Sequence, residues 1–381
     1  MNSVNTSKRS SGFSILELIV AMALGLVLLG AATQLFTTGM KTTALVSNRT
    51  EMQQNVRAAL DLIAKDVSMA GAGLPPGGLQ LPTNAGSTAT NFGCDQTGLC
   101  YVTAHNYSTG TVGSVANPPA TPISNYMFGI IPGPGNGLQL PQTTIAATNR
   151  TPDSITVVYV DYGFPLQQFT GALNATGTTL TLNPPVPQPV TTPDATDAGV
   201  GIKIGDLLMV TTSKGTEVGE VSAVSPLAIH GATVTFTNAD PLNFNQTGAA
   251  SNNMTSIVPP AVPAPTVTAR RLLAITYFIQ IPASTGTPRL MRQVNGNLPQ
   301  PVADNIIDMQ FSYDLCDPST GGATCAATRN PLGGNYSPNQ IHKVNFLIMG
   351  QSLLSNGKDW QNMQLSTAVS ARNLTYKDRY Q

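Results

Sequence analysis

From Phe13 to Phe36 the chain is apolar for longer than the roughly 20 residues a bilayer span requires, and that run holds a single charge, Glu17. A charge at mid-bilayer costs ~2.5–3.5 kcal/mol on insertion scales and less near the interface, so a lone carboxylate near the end of a span implies a partner. Lys8 and Arg9 precede the run and, by the positive-inside rule, mark its cytoplasmic side. An uncleaved signal anchor would give such a stretch, as would a secretory signal cut near Gly30-Ala31-Ala32. Neither explains Glu17, which lies where a signal core is purely apolar. Nor does either explain why the run continues into a helical pattern without a turn.

That pattern is amphipathic. Met52, Val56, Ala59, Ile63 and Val67 recur at helical spacing, Leu60 and Ala70 widen the stripe, and Asp61 and Lys65 sit i,i+4 on the other side. Proline is absent from 13 to 70, so one helix of about 87 Å is expected at 1.5 Å per residue. Gly71, Gly73, Pro75 and Pro76 are expected to end it. The expected organisation is a short basic segment over 1–12, a membrane half over 13–36 and an amphipathic half over 37–72. A loop-rich region over 73–150 and a β-rich C-terminal domain over 151–381 follow.

The segment Arg9-Ser10-Ser11-Gly12-Phe13-Ser14-Ile15-Leu16-Glu17-Leu18 resembles the class III leader of type IV pilins and pseudopilins. The resemblance implies cleavage by a prepilin peptidase after Gly12 and N-methylation of Phe13 as the new amino terminus. It also implies that Glu17 meets that amine on a neighbouring subunit, recruiting the chain into a filament. Opposite charges attract far more strongly in a poorly screened medium than in water, and each relieves the other's burial. A carboxylate satisfied by head groups or water is the plainer reading of an isolated span. Major pilins commonly carry a proline in the span; its absence leans towards a minor pilin or pseudopilin.

The body reads as β-rich, with strands expected at 154–160, 178–182, 204–211, 218–224, 232–237, 271–281, 289–293, 306–313, 344–349 and 368–374. Short sequential connections favour antiparallel pairing, and the proline-rich connectors 183–193 and 258–265 read as extended. From Asp304 to Tyr313, Ile306, Asp308 and Gln310 alternate with Ile307, Met309 and Phe311, which suggests one face buried against the helix and one facing solvent. Ala274-Ile275-Thr276-Tyr277, Arg289-Leu290-Met291-Arg292, the run Val302 to Tyr313 and the ending Val369-Ser370-Ala371-Arg372-Asn373 resemble the body of PilW-type minor pilins. Gly205-Asp206 before Leu207 to Val210 also resembles that family, although it is equally a turn opening a strand. The J-type pseudopilin of type II secretion shares much of this order. Arg292 and Arg372 receive no function.

Charged residues make up only 10 % of the chain and the formal net charge is zero. Loss of Lys8 and Arg9 would leave 17 of the 19 basic side chains against 19 acidic ones. Such a balance gives no electrostatic footprint for nucleic acid. Four cysteines form two close pairs, Cys94 with Cys100 and Cys316 with Cys325. Three connectivities are open; nearest-neighbour disulfides in an oxidising periplasm are expected, and the spacings match no zinc knuckle. Residues 74–150 form either an elaborated loop or a small stapled subdomain.

Catalytic signals are thin. His105, His230 and His342 are scattered, the hydrolase elbow is absent, and Gly133-Pro134-Gly135-Asn136-Gly137 lacks the lysine of a phosphate loop and reads as a turn. Asp194 and Asp197 before Gly199 are too few ligands for calcium. No enzyme activity, cofactor or metal is expected. The expectation is an α+β pilin-like fold, a long N-terminal helix packed on an antiparallel sheet with large loops. It would sit in the bacterial inner membrane by one span, with a periplasmic body, before entering the pilus. The resemblance implies other minor pilins, the major pilin, the prepilin peptidase, an inner-membrane assembly platform and a tip adhesin as partners. The rivals are a J-type pseudopilin and a membrane-tethered periplasmic enzyme or ligand binder.

Overall fold

Among the described residues, one helix, α1 (Ile15–Met69), precedes a body of antiparallel sheets. The computed structural model describes residues 12–75, 77–82, 90–102, 126–139, 151–185, 194–238, 240–260, 267–284, 286–316, 325–328, 338–355, 360–371 and 373–374. Outside this set lie most of the leader, Pro76, His105, Arg372 and the larger part of both proline-rich connectors. The side chains of Cys316 and Cys325 are outside it too. The chain divides into two compact units, Met1–Glu51 with Ser352–Gln361, and Met52–Gln351 with Asn362–Gln381.

In the first unit, Ile15 to Glu51 is helical and almost wholly exposed. In the second, Met52, Val56, Ala59, Ile63, Val67 and Ala70 are buried in one apolar core, the stripe expected from the spacing. The helix stops where Gly71 takes a left-handed φ of 78° and its N–H leaves the helix to donate to the Val158 carbonyl at 2.8 Å. A side chain there would also collide with Leu374.

The strands, in chain order, are β1 (Leu79–Gln80), β2 (Tyr126–Met127), β3 (Ile130–Gly133), β4 (Ser154–Val160), β5 (Thr170–Leu173), β6 (Thr179–Asn183) and β7 (Leu207–Thr212). Next come β8 (Gly215–Glu220), β9 (Ala223–Pro226), β10 (Ala232–Thr235), β11 (Thr268–Gln280), β12 (Arg289–Val294) and β13 (Gln300–Asp304). The last are β14 (Ile306–Cys316), β15 (Cys325–Thr328), β16 (Ile341–Ser355) and β17 (Trp360–Ser370). The main sheet has the order β13-β12-β11-β4-β3, and the first residues of β11 also pair with β7, which pairs with β8. A smaller sheet is ordered β5-β6-β10-β9 and the last β15-β14-β16-β17.

Side-chain alternation along β11 explains why helix and loops cover opposite faces of the main sheet. Ile275, Tyr277 and Ile279 join the helix core, whereas Leu272 and Ala274 face a second core built with Leu79, Phe92, Met127 and Phe244. The described parts of 74–150 therefore share a core with the main sheet, and β3 adds a strand to it. The whole is α+β and pilin-like, a long helix whose distal residues pack on antiparallel sheet.

Three strand expectations need correction. The segment 218–224 is two strands in different sheets, because Asn245 occupies the backbone of Glu220: the Glu220 N–H donates to Asn245 Oδ1 at 2.9 Å and Asn245 Nδ2 donates to the Glu220 carbonyl at 2.7 Å. The final strand is Trp360–Ser370 instead of 368–374, since Asn373 and Leu374 lie in a turn where the Leu374 N–H donates to the Ala371 carbonyl. The solvent face expected along β14 is covered: Ile306 and Asp308 are as buried as Ile307 and Met309.

Candidate functional site: the amino-terminal helix and its seat

Ser14, just before the first helical residue, accepts a hydrogen bond from the Leu16 N–H on its Oγ at 3.2 Å, and Glu17 Oε2 accepts one from the Ser14 N–H at 3.1 Å. This is a capping box, in which a serine and a glutamate three residues later satisfy the free donors of the first turn. The Ser-x-x-Glu spacing is itself a sequence signal for such a cap, carried here inside an apolar span. Gly12 and Phe13 lie outside the helix, before the cap, and both are exposed. Nothing stands within 4 Å of where a Gly12 Cβ would be. Glu17 thus already touches the backbone one residue from the Phe13 nitrogen. Among the described residues α1 is the one helix long and apolar enough to cross a membrane.

Further along, the hydroxyls of Thr33, Thr38, Thr42, Thr43 and Thr50 each donate to a carbonyl four residues earlier, at 2.8–3.0 Å. Their polarity is absorbed by the helix itself.

The distal part of α1 is held by a polar clasp that the sequence reading missed. Asp66, 3 % exposed, lies on the apolar stripe between Ile63 and Ala70. Its Oδ2 accepts the Tyr277 hydroxyl at 2.5 Å and Arg292 Nε at 3.0 Å, and its Oδ1 accepts the Tyr159 hydroxyl at 3.1 Å. Tyr277 and Arg292 stand opposite each other on β11 and β12, and Tyr159 comes from β4, so one helical carboxylate ties three strands. Burial and then the Asp66 charge push both tyrosine hydroxyls far above their ordinary range, so they donate at any physiological pH. Burial works against the Arg292 charge, but Asp66 outweighs it and holds the guanidinium above its ordinary value. An acid on an otherwise apolar stripe was the available signal.

Cys94 and Cys100 form the expected disulfide. The stapled loop is seated by the Gln96 N–H donating to the Gly296 carbonyl at 3.0 Å, Gln293 Nε2 donating to the Cys94 carbonyl at 2.9 Å, and Gln96 Nε2 donating to Glu220. For the second pair, the β14–β15 register sets Cys316 opposite Cys325. Gly133 closes β3 and Pro134-Gly135 form the expected turn, its Gly135 N–H held by Asp153 at 2.8 Å. Asp194 accepts the Thr196 N–H, and Asp197 accepts those of Gly199 and Val200. These carboxylates cap turns, and no group of three or more metal-binding side chains occurs among the described residues. His230 lies 3.6 Å from Asp194, and His342 is on β16.

Two buried acids give the body a pH dependence. Burial raises Glu217 to about 8, and burial plus a hydrogen bond shared with Asp240 raises Glu220 to about 8, against an ordinary 4.5. Folding therefore favours the protonated forms. Their contribution is complete below about pH 4.5, falls as pH rises towards 8, and is gone above it. Each group is worth up to about 1.4 kcal/mol per pH unit across that window. Thermal unfolding is expected to show a midpoint that drops between pH 5 and pH 8, with Glu217→Gln removing part of the slope. A midpoint that rises over this window contradicts the assignment.

Residues 7–33 match the model of the prokaryotic N-terminal methylation motif. That motif is the type IV pilin and pseudopilin leader, and the match takes in Lys8, Arg9, Gly12, Phe13 and Glu17. Among curated proteins and among solved structures, none matches the chain.

Proposed function

We propose that this chain is a PilW-like minor pilin, a structural subunit that joins other minor pilins in the complex priming and tipping a type IV pilus. The observation that carries the reading is the methylation motif placed on a helix where Glu17 is the sole charge from Phe13 to Phe36. The protein would enter the inner membrane with its body in the periplasm, and the prepilin peptidase would cut between Gly12 and Phe13. The Phe13 nitrogen, methylated and positively charged, would then meet Glu17 of an adjoining subunit. The assembly platform would extract the subunit with the major pilin following, and a tip adhesin would be its outermost partner. A second disulfide, Cys316 to Cys325, is part of this reading and suits an exported body.

Filaments sheared from cells should contain the chain in small amount relative to the main subunit. Recovery with the secretion machinery, and absence from pili, would assign it instead to the J-type pseudopilins. Residence in the membrane with no filament attached would favour a tethered ligand binder.

A further inference from the structure

The start of α1 is fixed at one residue. The Ser14 carbonyl accepts the first intrahelical bond, from the Leu18 N–H at 3.2 Å, which makes Ser14 the N-cap. Its Oγ accepts the Leu16 N–H at 3.2 Å. The Ser14 N–H, which a longer helix would give to a carbonyl four residues back, is taken by Glu17 Oε2 at 3.1 Å. Both bonds belong to a helix that begins here and not one turn earlier. Such a stop is not automatic, because α1 runs for 55 residues and lengthening an existing helix needs no new nucleus. The consequence falls on the peptide bond between Gly12 and Phe13. Both residues lie outside the helix and exposed, with open space around Gly12. A peptide bond within a helix has its N–H and carbonyl tied up and resists proteolysis, whereas an exposed one outside it is free to be engaged.

We propose that Ser14 is a positioning residue for removal of the leader: by capping α1 it keeps the Gly12–Phe13 peptide outside the helix, where the peptidase can engage its backbone. This rests on the processing site proposed above and adds to it a residue beyond the scissile bond. The step is hydrolysis. The Gly12–Phe13 amide bond breaks, and water gives its hydroxyl to the Gly12 carbonyl carbon and a proton to the Phe13 nitrogen. Ser14 takes no part in that exchange and acts only through the backbone it caps. Its replacements therefore follow the order of N-cap preference. Asparagine caps as well as serine, glycine costs little, and alanine, the best helix former, caps poorly. A hydroxyl read directly by the peptidase would give another order, with glycine and alanine equally poor.

The test follows leader removal by intact mass, with the full chain in detergent micelles, purified prepilin peptidase and substrate below saturation. Ser14→Ala is expected to be cut at least about threefold more slowly than wild type, and Ser14→Asn and Ser14→Gly to stay within about twofold of it. In the uncut chains the Phe13 Cα chemical shift should move towards its helical value in the alanine variant and stay in place in the other two. A wild type that is not cut between Gly12 and Phe13 overturns the processing site and this proposal with it. A wild type cut there, with the alanine variant cut just as fast, overturns the role of Ser14 alone. So does a glycine variant as slow as alanine with the Phe13 shift unmoved in both, which would give the hydroxyl to direct recognition by the enzyme.

Discussion

Glu17→Ala is expected to yield a chain that is processed and membrane-inserted but missing from sheared filaments. Opposite charges about 4 Å apart at an effective dielectric near 20 attract by roughly 4 kcal/mol, close to a thousandfold in an association constant. Alanine removes that attraction, and it also removes the bond to the Ser14 N–H within the capping box. Glu17→Gln separates the two effects, since glutamine at this position of a capping box still reaches back to the cap N–H but carries no charge. The proposed pairing with the Phe13 amine predicts that glutamine fails as alanine does. Normal incorporation of the glutamine variant, measured by immunoblot of sheared filaments against whole cells, would reduce Glu17 to a helix cap. Within one chain Glu17 already accepts the Ser14 N–H, so the neighbour's amine of the proposed pairing would have to compete with that local bond.

The second large effect is expected at Asp66. Asp66→Ala leaves Arg292 partly buried without its counter-charge and strips the acceptor from two tyrosine hydroxyls. Breaking a buried pair from one side costs about 3–5 kcal/mol. Asp66→Asn keeps the volume and some acceptor capacity and should cost less, about 1.5–3 kcal/mol, the range for a hydrogen bond to a charged group. The double variant Asp66→Leu, Arg292→Met should recover only the part of the loss that comes from the uncompensated Arg292 charge, because the Tyr277 and Tyr159 hydroxyls still lack their acceptor. Denaturant unfolding of the three variants checks the order. An Asp66→Ala midpoint equal to wild type would show that the clasp adds nothing beyond the apolar stripe around it.

Much of this fold was legible because its signals are local. The helix stripe from Met52 to Val67 follows from a 3.6-residue period, and β4 was placed at its observed ends, Ser154 and Val160. What escaped were features whose partners lie far away in sequence or whose residues argue against their structure. Asp66 meets Tyr277 and Arg292 across 211 and 226 positions, and no local pattern reports that. Pro132, Gly171 and Pro301 are residue types that disfavour strands, yet each sits in a strand at a sheet edge, where a missing donor or side chain is tolerated. The end of β8 was invisible because the Asn245 side chain, 25 residues on, takes the bonds a strand would have taken. Around the candidate site, Gly12, Phe13 and Glu17 stood out by type and spacing, whereas the Ser14 cap was present in the same residues and went unread.

The central claim, that Phe13 becomes a charged terminus beside Glu17, is tested most directly by the intact mass of the protein extracted from native membranes. The account predicts a chain lacking residues 1–12, beginning at Phe13 and heavier by one methyl group. A chain that begins at Met1, or one trimmed past Phe36, would contradict it.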